Sequence, residues 1–567
     1  MPGGGGVPVR SVVAAVPIAE GTLPVTAFPI VERELRVAAR RRGTFQVRFV
    51  AAAAAAFLGG LALLAESLPG ARGGAGSGRN LFLLLVWVGF GLAMLAGVLL
   101  TADCLSREKR EGTLGFLFLT DLSGLEVVAG KFAALSLVPL HGLLAVFPVA
   151  ALTVFMGGVT GAEFGRTTLV VTNTLFVSLA AGMWVSSLVD DERQATGLTL
   201  GTLALLTGVP ELAGWLAGLF PASAGFTQLR LASPAASLRH GFDILYGTAP
   251  APFWWALLGQ HALGWVFLIG AAMIVRHAWR QRGPTVPPTP TPTAAPAPAR
   301  TPPPTTNRAD SPRSRVGRLP SRWQRRVRQA GPIAWLAWQD TWIRRSIWWV
   351  TALVSVAALG IFAGLITGPG RAGAYDRVAL LITGGFFLLK LLLAIHAVYF
   401  LQDSCRQGTM EILLTTPLSN RTLTEGHFAA MRHMVVWPVL LLGLLQTALS
   451  LVAKLVIGGD WPSIGTLVLV AVTPPLVGLL IHFADFLAVA YHASRWALHY
   501  DRPAKALLRT ILLVLVLPAL FCGQARFLVA LFVIGQTRPL LERFRDRVQA
   551  WYFPDPLGHF FGAPRPR

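Results

Sequence analysis

Eleven stretches of this sequence are apolar over about 20 residues, the length a helix needs to cross the hydrocarbon of a bilayer. They stand at 45–65, 81–102, 133–156, 166–189, 195–218 and 253–275, and again at 347–367, 378–401, 434–456, 465–493 and 506–522. A twelfth, Phe527 to Gly535, is short and follows Arg526. Backbone polar groups inside lipid must pair within their own segment, so runs of this length are read as helices. The fold class expected is therefore an all-α polytopic membrane protein with 11–12 spans. Composition agrees: 54% of the 567 residues are hydrophobic and only 13% are charged, against about 25% charged in a soluble domain. An ordinary soluble enzyme is excluded, and so is intrinsic disorder, which needs low hydrophobicity. Cys104, Cys405 and Cys522 are too few for a disulfide framework and lack zinc-site spacing.

The two sets of spans are separated by a different kind of chain. From Pro284 to Pro304 there are ten prolines in 21 residues, followed by Arg322, Arg325, Arg326 and Arg328. Proline at this density gives an extended tether that cannot build a core. The expected organisation is a tail (1–28), a first half of an amphipathic segment and six spans (29–282), a Pro/Arg-rich linker (283–328), and a second half of five or six spans (329–567). Residues 1–28 are not a convincing signal peptide, since Pro17 and Pro24 interrupt a weak apolar stretch.

Orientation follows from Lys and Arg in short loops. With the N-terminus inside, the inner segments of the first half hold fourteen such residues: Arg33, Arg36, Arg40, Arg41, Arg42, Arg48, Arg107, Lys109, Arg110, Lys131, Arg193, Arg276, Arg280 and Arg282. The outer loops hold five, Arg72, Arg79, Arg166, Arg230 and Arg239. The N-terminus and linker are expected to be cytoplasmic. The net charge of +22 then belongs to the edges of spans, and no nucleic-acid partner is needed to explain it. In the tail, Arg538, Arg543, Arg545 and Arg547 favour the inside, whereas Asp555-Pro556 matches Ser233-Pro234 before span 6, so its side stays open.

A repeat carries the functional signal. Residues 111–135, after span 2, align without gaps on 407–431, after span 8, and ten of the 25 positions are identical. The shared residues include Gly112/Gly408, Thr113/Thr409, Thr120/Thr416, Leu122/Leu418, Ser123/Ser419 and Gly130/Gly426. Pro29-Ile30 matches Pro332-Ile333, and Arg193-Gln194-Ala195 matches Arg502-Pro503-Ala504. This is a duplicated membrane unit in parallel orientation. In the repeated segment a span ends in charge (Ser106 to Glu111). A helix too short to cross follows (Leu114 to Leu119), and Ser123 with Glu126 has the spacing of a capping box that starts span 3.

These segments resemble the type-2 exporter permeases of the ABC transporter superfamily. That pattern places an acid, Gly-Thr-Leu-Glu, a Leu-rich stretch, Thr-Pro-Leu-Ser and Gly-Lys between spans 2 and 3. The first half retains Glu111, Gly112, Thr113, Leu122, Ser123, Gly130 and Lys131; the second retains Gly408, Thr409, Glu411, Thr416, Pro417, Leu418, Ser419 and Gly426. Asp121 stands where the pattern has Pro, Gly115 where it has Glu, Gln407 where it has the leading acid and His427 where it has Lys. The resemblance implies the permease subunit of an ATP-driven exporter. Residues 106–131 and 403–427 would couple it to a separate ABC-type ATPase, in two copies, which would bind ATP and Mg. It also implies a multi-pass protein of the inner (cytoplasmic) membrane, with a dimer of whole chains left open.

Other functions find less support in the residues. Gly124 to Phe132 has five residues between its glycines and Phe where a phosphate loop needs Ser or Thr, so the chain itself is not expected to be an ATPase. Lys390 in span 8, with His482 and Asp485 in span 10, puts ionisable groups inside lipid, a costly arrangement best met by mutual pairing. Asn173 falls opposite His482 in the duplicate. A metal set of His482, Asp485 and His492 is disfavoured, because their i, i+3, i+10 spacing scatters them around and along a helix, and no metal site is expected. Segments 31–42 and Trp335, Trp338, Trp342 read as interfacial helices. Two parallel six-span halves also describe a secondary transporter, the alternative function, although that architecture has a shorter loop after span 2.

Overall fold

The computed structural model describes residues 48–57, 59–60, 76–118, 123–217, 230–281, 332–338, 341–367, 374–415, 420–457, 471–500 and 502–516. The tail 1–28, the segment 31–42, the linker, the stretch 517–567, and Asp121, Leu122 and Thr416 to Ser419 lie outside the described residues.

Among the described residues there is no strand, and nearly all are in helices, turns or bends. The first half runs α1 (Arg48–Phe57), α2 (Gly76–Ala96), a π-helical turn (Gly97–Thr101), α3 (Cys104–Glu111), α4 (Thr113–Phe118), α5 (Gly124–Met156), α6 (Gly161–Leu188), α7 (Glu192–Ala217), α8 (Pro234–Gly241), α9 (Asp243–Tyr246) and α10 (Ala251–Gln281). The second runs α11 (Pro332–Trp338), α12 (Thr341–Thr367), α13 (Ala374–Arg406), α14 (Thr409–Thr415), α15 (Asn420–Ile457), α16 (Thr473–His499) and α17 (Pro503–Thr510), the last continuing into a π-helical stretch (Ile511–Val516). Among the described residues nine helices are long and apolar enough to cross a membrane, and the protein is a multi-pass, all-α membrane protein. These nine match the sequence-predicted spans 2 to 10. Of span 1 only α1 and two further residues are described, span 11 is seen to Val516, and Phe527 to Gly535 lies outside the described residues.

Helix α6 is the hub of the first half, lying against α2, α3, α5, α7, α8 and α10. It is suited to this by small residues: Ala180, Ala181, Gly182, Ser178 and Ser186 are all buried. Without a hydrophobic drive between helices in lipid, close backbone approach and side-chain hydrogen bonds provide the attraction. At Gly97 a Cβ would fall 1.9 Å from the Ser178 carbonyl oxygen, and at Gly182 it would fall 2.6 Å from the Gly97 carbonyl oxygen. Thr101 Oγ1 donates to Leu179 O at 2.9 Å and Ser178 Oγ to Ala93 O at 2.5 Å, fastening the same seam.

The halves share one core. Leu95, Val98, Ala181, Leu200 and Leu203 of the first half cluster with Ile343, Ile347 and the buried face of α13. Trp342 lies on Gly197, where an added Cβ would meet its ring at 2.0 Å. Tyr399 and Thr196 share a buried hydroxyl–hydroxyl hydrogen bond of 2.8 Å across the same junction. Helix α11 packs on α15, with Ile333, Ala334 and Ala337 buried.

Candidate functional site

The repeated segments meet at one end of the bundle. Helix α3 ends at Gly112, whose φ of 70° is left-handed and whose N–H bonds to Lys109 O. The second half repeats the turn: Gly408 has φ 71° and its N–H bonds to Cys405 O. Only glycine adopts this conformation without a steric penalty, so both glycines serve to end one helix and let the short apolar α4 or α14 begin directly after it. Helix α4 covers the stretch read as too short to cross. After it, Ser123 and Glu126 form the capping box: Glu126 N–H donates to Ser123 Oγ (3.3 Å) and Ser123 N–H to Glu126 Oε2 (2.8 Å).

The first turn is held by neighbours that the motif does not contain. The N-terminal N–H groups of α3 have no intrahelical acceptors, and Asp103, at the cap, does not supply one. Ser186 on α6 does, accepting from Leu105 N–H at 2.9 Å and Ser106 N–H at 3.0 Å. Asp103 instead takes Arg110 (2.8 Å) and the Ser106 hydroxyl (2.7 Å). Lys109 reaches the Ser187 carbonyl, and Arg110 the Asp190 carbonyl at 2.7 Å. Glu111 pairs with Arg107 at 2.7 Å on an exposed face, and Thr113 is exposed. Lys131 reaches back along α5 to Glu108 at 2.5 Å, next to buried Gly130.

Counted from the glycines, the second half changes both members of that last pair. Ser404 stands at the place of Glu108 and His427 at the place of Lys131. Ser404 Oγ donates to the Phe400 carbonyl (2.6 Å). Ser494 Oγ gives its proton to Ala490 O at 2.7 Å, so at 3.1 Å His427 Nε2–H is the donor to it. The His427 ring is buried and stacked on Phe400, with centroids 5.4 Å apart. An ion pair in one half is thus a neutral, buried arrangement in the other. Gly426 is buried, as Gly130 is in the first half, Thr409 is half-buried and Glu411 lies on α14.

A chain of charges joins the two turns. Asp191 caps α7, accepting from Arg193 N–H (2.8 Å) and Gln194 N–H (3.3 Å), which presents Glu192 and Arg193 side by side in the first turn. Glu192 Oε2 lies 3.1 Å from Arg406 and 3.7 Å from Arg110. Arg193 bonds Asp403 at 2.7 Å. Arg110 and Arg406 each stand two residues before their glycine. Arg193 counts as an inner-loop cation and Asp403 opens the 403–427 segment, but nothing in the sequence pairs them or singles out Glu192. The Asp190-Asp191-Glu192-Arg193 run was visible, but partners more than 200 residues away were not.

Mid-bundle, Lys390 Nζ lies 2.6 Å from Asp485 Oδ2 and 3.2 Å from His482 Nδ1, and all three side chains are buried. The place of His482 in the first half, Asn173, instead bonds Leu257 O (3.2 Å) and His261 (3.0 Å). His492 does not join the Lys390 cluster, and among the described residues no three ligand side chains converge as a metal site would require.

The opposite end is latched within the first half. Arg79 grips buried Glu163 with two bonds (3.0 and 3.2 Å), and Arg166 bonds Asp243 and lies over Tyr246. Glu211 takes Arg239 and, at 3.5 Å, Arg230. His240 beside them is held below its ordinary pKa, first by burial and then by the Arg239 and Arg230 charges.

Residues 26–274 match the family model described as ABC-2 family transporter protein. No curated protein matches the chain.

Proposed function

We propose that this chain, an ABC-2-type transporter permease by the domain at 26–274, is the membrane subunit of an ATP-driven exporter whose ATPase is a separate protein. The observation that carries the reading is the turn built twice at the same end of the bundle. At Gly112 and at Gly408 a span ends in a left-handed residue and passes into a short apolar helix. Such an element is rigidly continuous with its span, so a push on the short helix tilts the span. The two turns, residues 106–131 and 403–427, would each receive one copy of an ABC-type ATPase. ATP and Mg would be bound by that partner, with none of the chemistry on this chain. Glu111, Lys131 and Glu411 supply charges for the contact, while Gly112, Thr113, Asp121, Leu122, Ser123, Gly130, Gly408, Thr409, Thr416, Pro417, Leu418, Ser419 and Gly426 shape it. The Lys/Arg distribution favours a cytoplasmic position for this end, the N-terminus and the linker, and the resemblance to exporter permeases supports an inner (cytoplasmic) membrane.

The test is gentle purification of the tagged chain from its native membranes, with mass spectrometry of what accompanies it. An ABC-type ATPase is expected, and its recovery should fall at least tenfold when Gly112-Thr113 and Gly408-Thr409 are replaced together. A chain that purifies without any ATPase but drives proton- or sodium-dependent uptake in vesicles is a secondary transporter, and the proposal fails.

A further inference from the structure

The two turns read above as coupling elements are separate in sequence, yet their arginines meet on a single carboxylate. Arg110 and Arg406 occupy the same place, two residues before a left-handed glycine, in the two halves. Both approach Oε2 of Glu192, at 3.7 and 3.1 Å. We infer that Glu192 is a clasp between the halves, through which displacement of either coupling element is felt at the cytoplasmic end of their junction. This rests on the reading of the Gly112 and Gly408 turns as coupling elements.

Three features support a clasp over an incidental surface pair. Glu192 is only 14% exposed whereas Arg406 is 49% and Arg110 34% exposed, so the acceptor sits within the junction and the donors reach it from the more exposed side. Its place is set by the Asp191 cap, and a carboxylate in the first turn of α7 is also favoured by the helix dipole. The surroundings are balanced: Asp103, Asp403 and Glu192 face Arg110, Arg193 and Arg406. Loss of one arginine therefore leaves a carboxylate underneutralised at a partly buried site. The next contact inward is the Tyr399–Thr196 hydrogen bond, and beyond it lies the shared core around Leu200 and Leu203. Because one acceptor serves both halves, the two elements cannot move outward independently without one arginine releasing it.

The experiment measures a distance between equivalent exposed positions. In a chain whose native cysteines are replaced by Ala, spin labels are placed at Glu111→Cys and Gln407→Cys, and the labelled protein is read in lipid nanodiscs by pulsed electron resonance. The parent should give one narrow distance distribution. Glu192→Gln should lengthen or broaden it, and Glu192→Asp should do so less. Arg110→Gln and Arg406→Gln should each shift it in the same direction, and adding Glu192→Gln to that pair should change nothing further. A Glu192→Gln distribution that superimposes on the parent overturns the inference, as does an equal additional shift on the Arg110/Arg406 background. Should Glu192→Gln fail to fold, Arg406→Gln is read in its place, and a superimposable distribution there overturns the inference equally. None of these readings needs an ATPase, so failure of the permease reading shows separately, as absence of an ATPase in the purification.

Discussion

Replacing Lys390 by Met and Asp485 by Leu, singly and together, tests how this protein tolerates charge inside the bilayer. The two groups are 2.6 Å apart and each residue is 5% exposed. In the Asp485→Leu variant the ammonium loses its carboxylate, with His482 Nδ1 at 3.2 Å and the Phe486 ring at 5.8 Å beside it. In Lys390→Met the carboxylate loses the ammonium 2.6 Å away. Removing one partner of a buried pair costs about 3–5 kcal/mol, and insertion scales give a similar figure, about 2.5–3.5 kcal/mol, for one charge at mid-bilayer. An ordinary interhelical hydrogen bond in lipid averages only about 0.6 kcal/mol, so the two cases are separable. The double variant removes both charges and is expected near neutral, or stabilised by about 1–4 kcal/mol. The cycle should therefore close with an interaction energy of several kcal/mol, far outside additivity. The assay is unfolding of the purified chain in mixed detergent and dodecyl sulfate, followed by fluorescence of its 17 tryptophans. Additive losses, or a Lys390→Met cost below about 1 kcal/mol, would show that the charges do not depend on each other.

Three further outcomes follow from the same geometry. At Gly112 and Gly408, Asn should be tolerated better than Ala, because the backbone is left-handed (φ 70° and 71°) and alanine there costs roughly 1–2 kcal/mol. Nothing lies within 4 Å of a Cβ at Gly112, so the loss in thermal midpoint and in ATPase recovery should track conformational preference rather than side-chain size. Gly97→Ala should be far more damaging than Gly91→Ala: the first drives a methyl against the Ser178 carbonyl at 1.9 Å and the second meets nothing within 4 Å. The comparison is made by folded yield in detergent. His240 titrates below its ordinary value of 6.5 in the folded protein, so the unfolded chain binds its proton first as pH falls. Stability should drop as pH falls below about 6.5, and His240→Gln should flatten that part of the profile between pH 7.5 and 5.5. A profile identical to the parent would remove His240 from the account.

Much of this arrangement was legible before any coordinates. Span positions, the Gly turn and the Ser123–Glu126 cap depend on neighbours within a few residues, and short-range physics shows in sequence directly. The proximity of Lys390 to Asp485 could be guessed, because two isolated charges in lipid leave few alternatives. By contrast, replacement of the Glu108–Lys131 ion pair by Ser404 and His427 is visible only once both residues are seen as one contact. The part of Ser186 as acceptor for the start of α3 had no sequence signal at all. It is one serine among several on α6, and only the approach of two helices turns it into a cap.

The chain alone thus determined that it spans a bilayer repeatedly, that its two halves repeat one turn, and that its cations flank the spans, since each of these is written in local pattern and composition. Tertiary structure decided which helix is the hub, how closely Gly97 and Gly182 let backbones approach, and that arginines from both halves share Glu192. Those are contacts between residues some 80 to more than 200 positions apart, and only the packed bundle brings their partners within hydrogen-bonding reach.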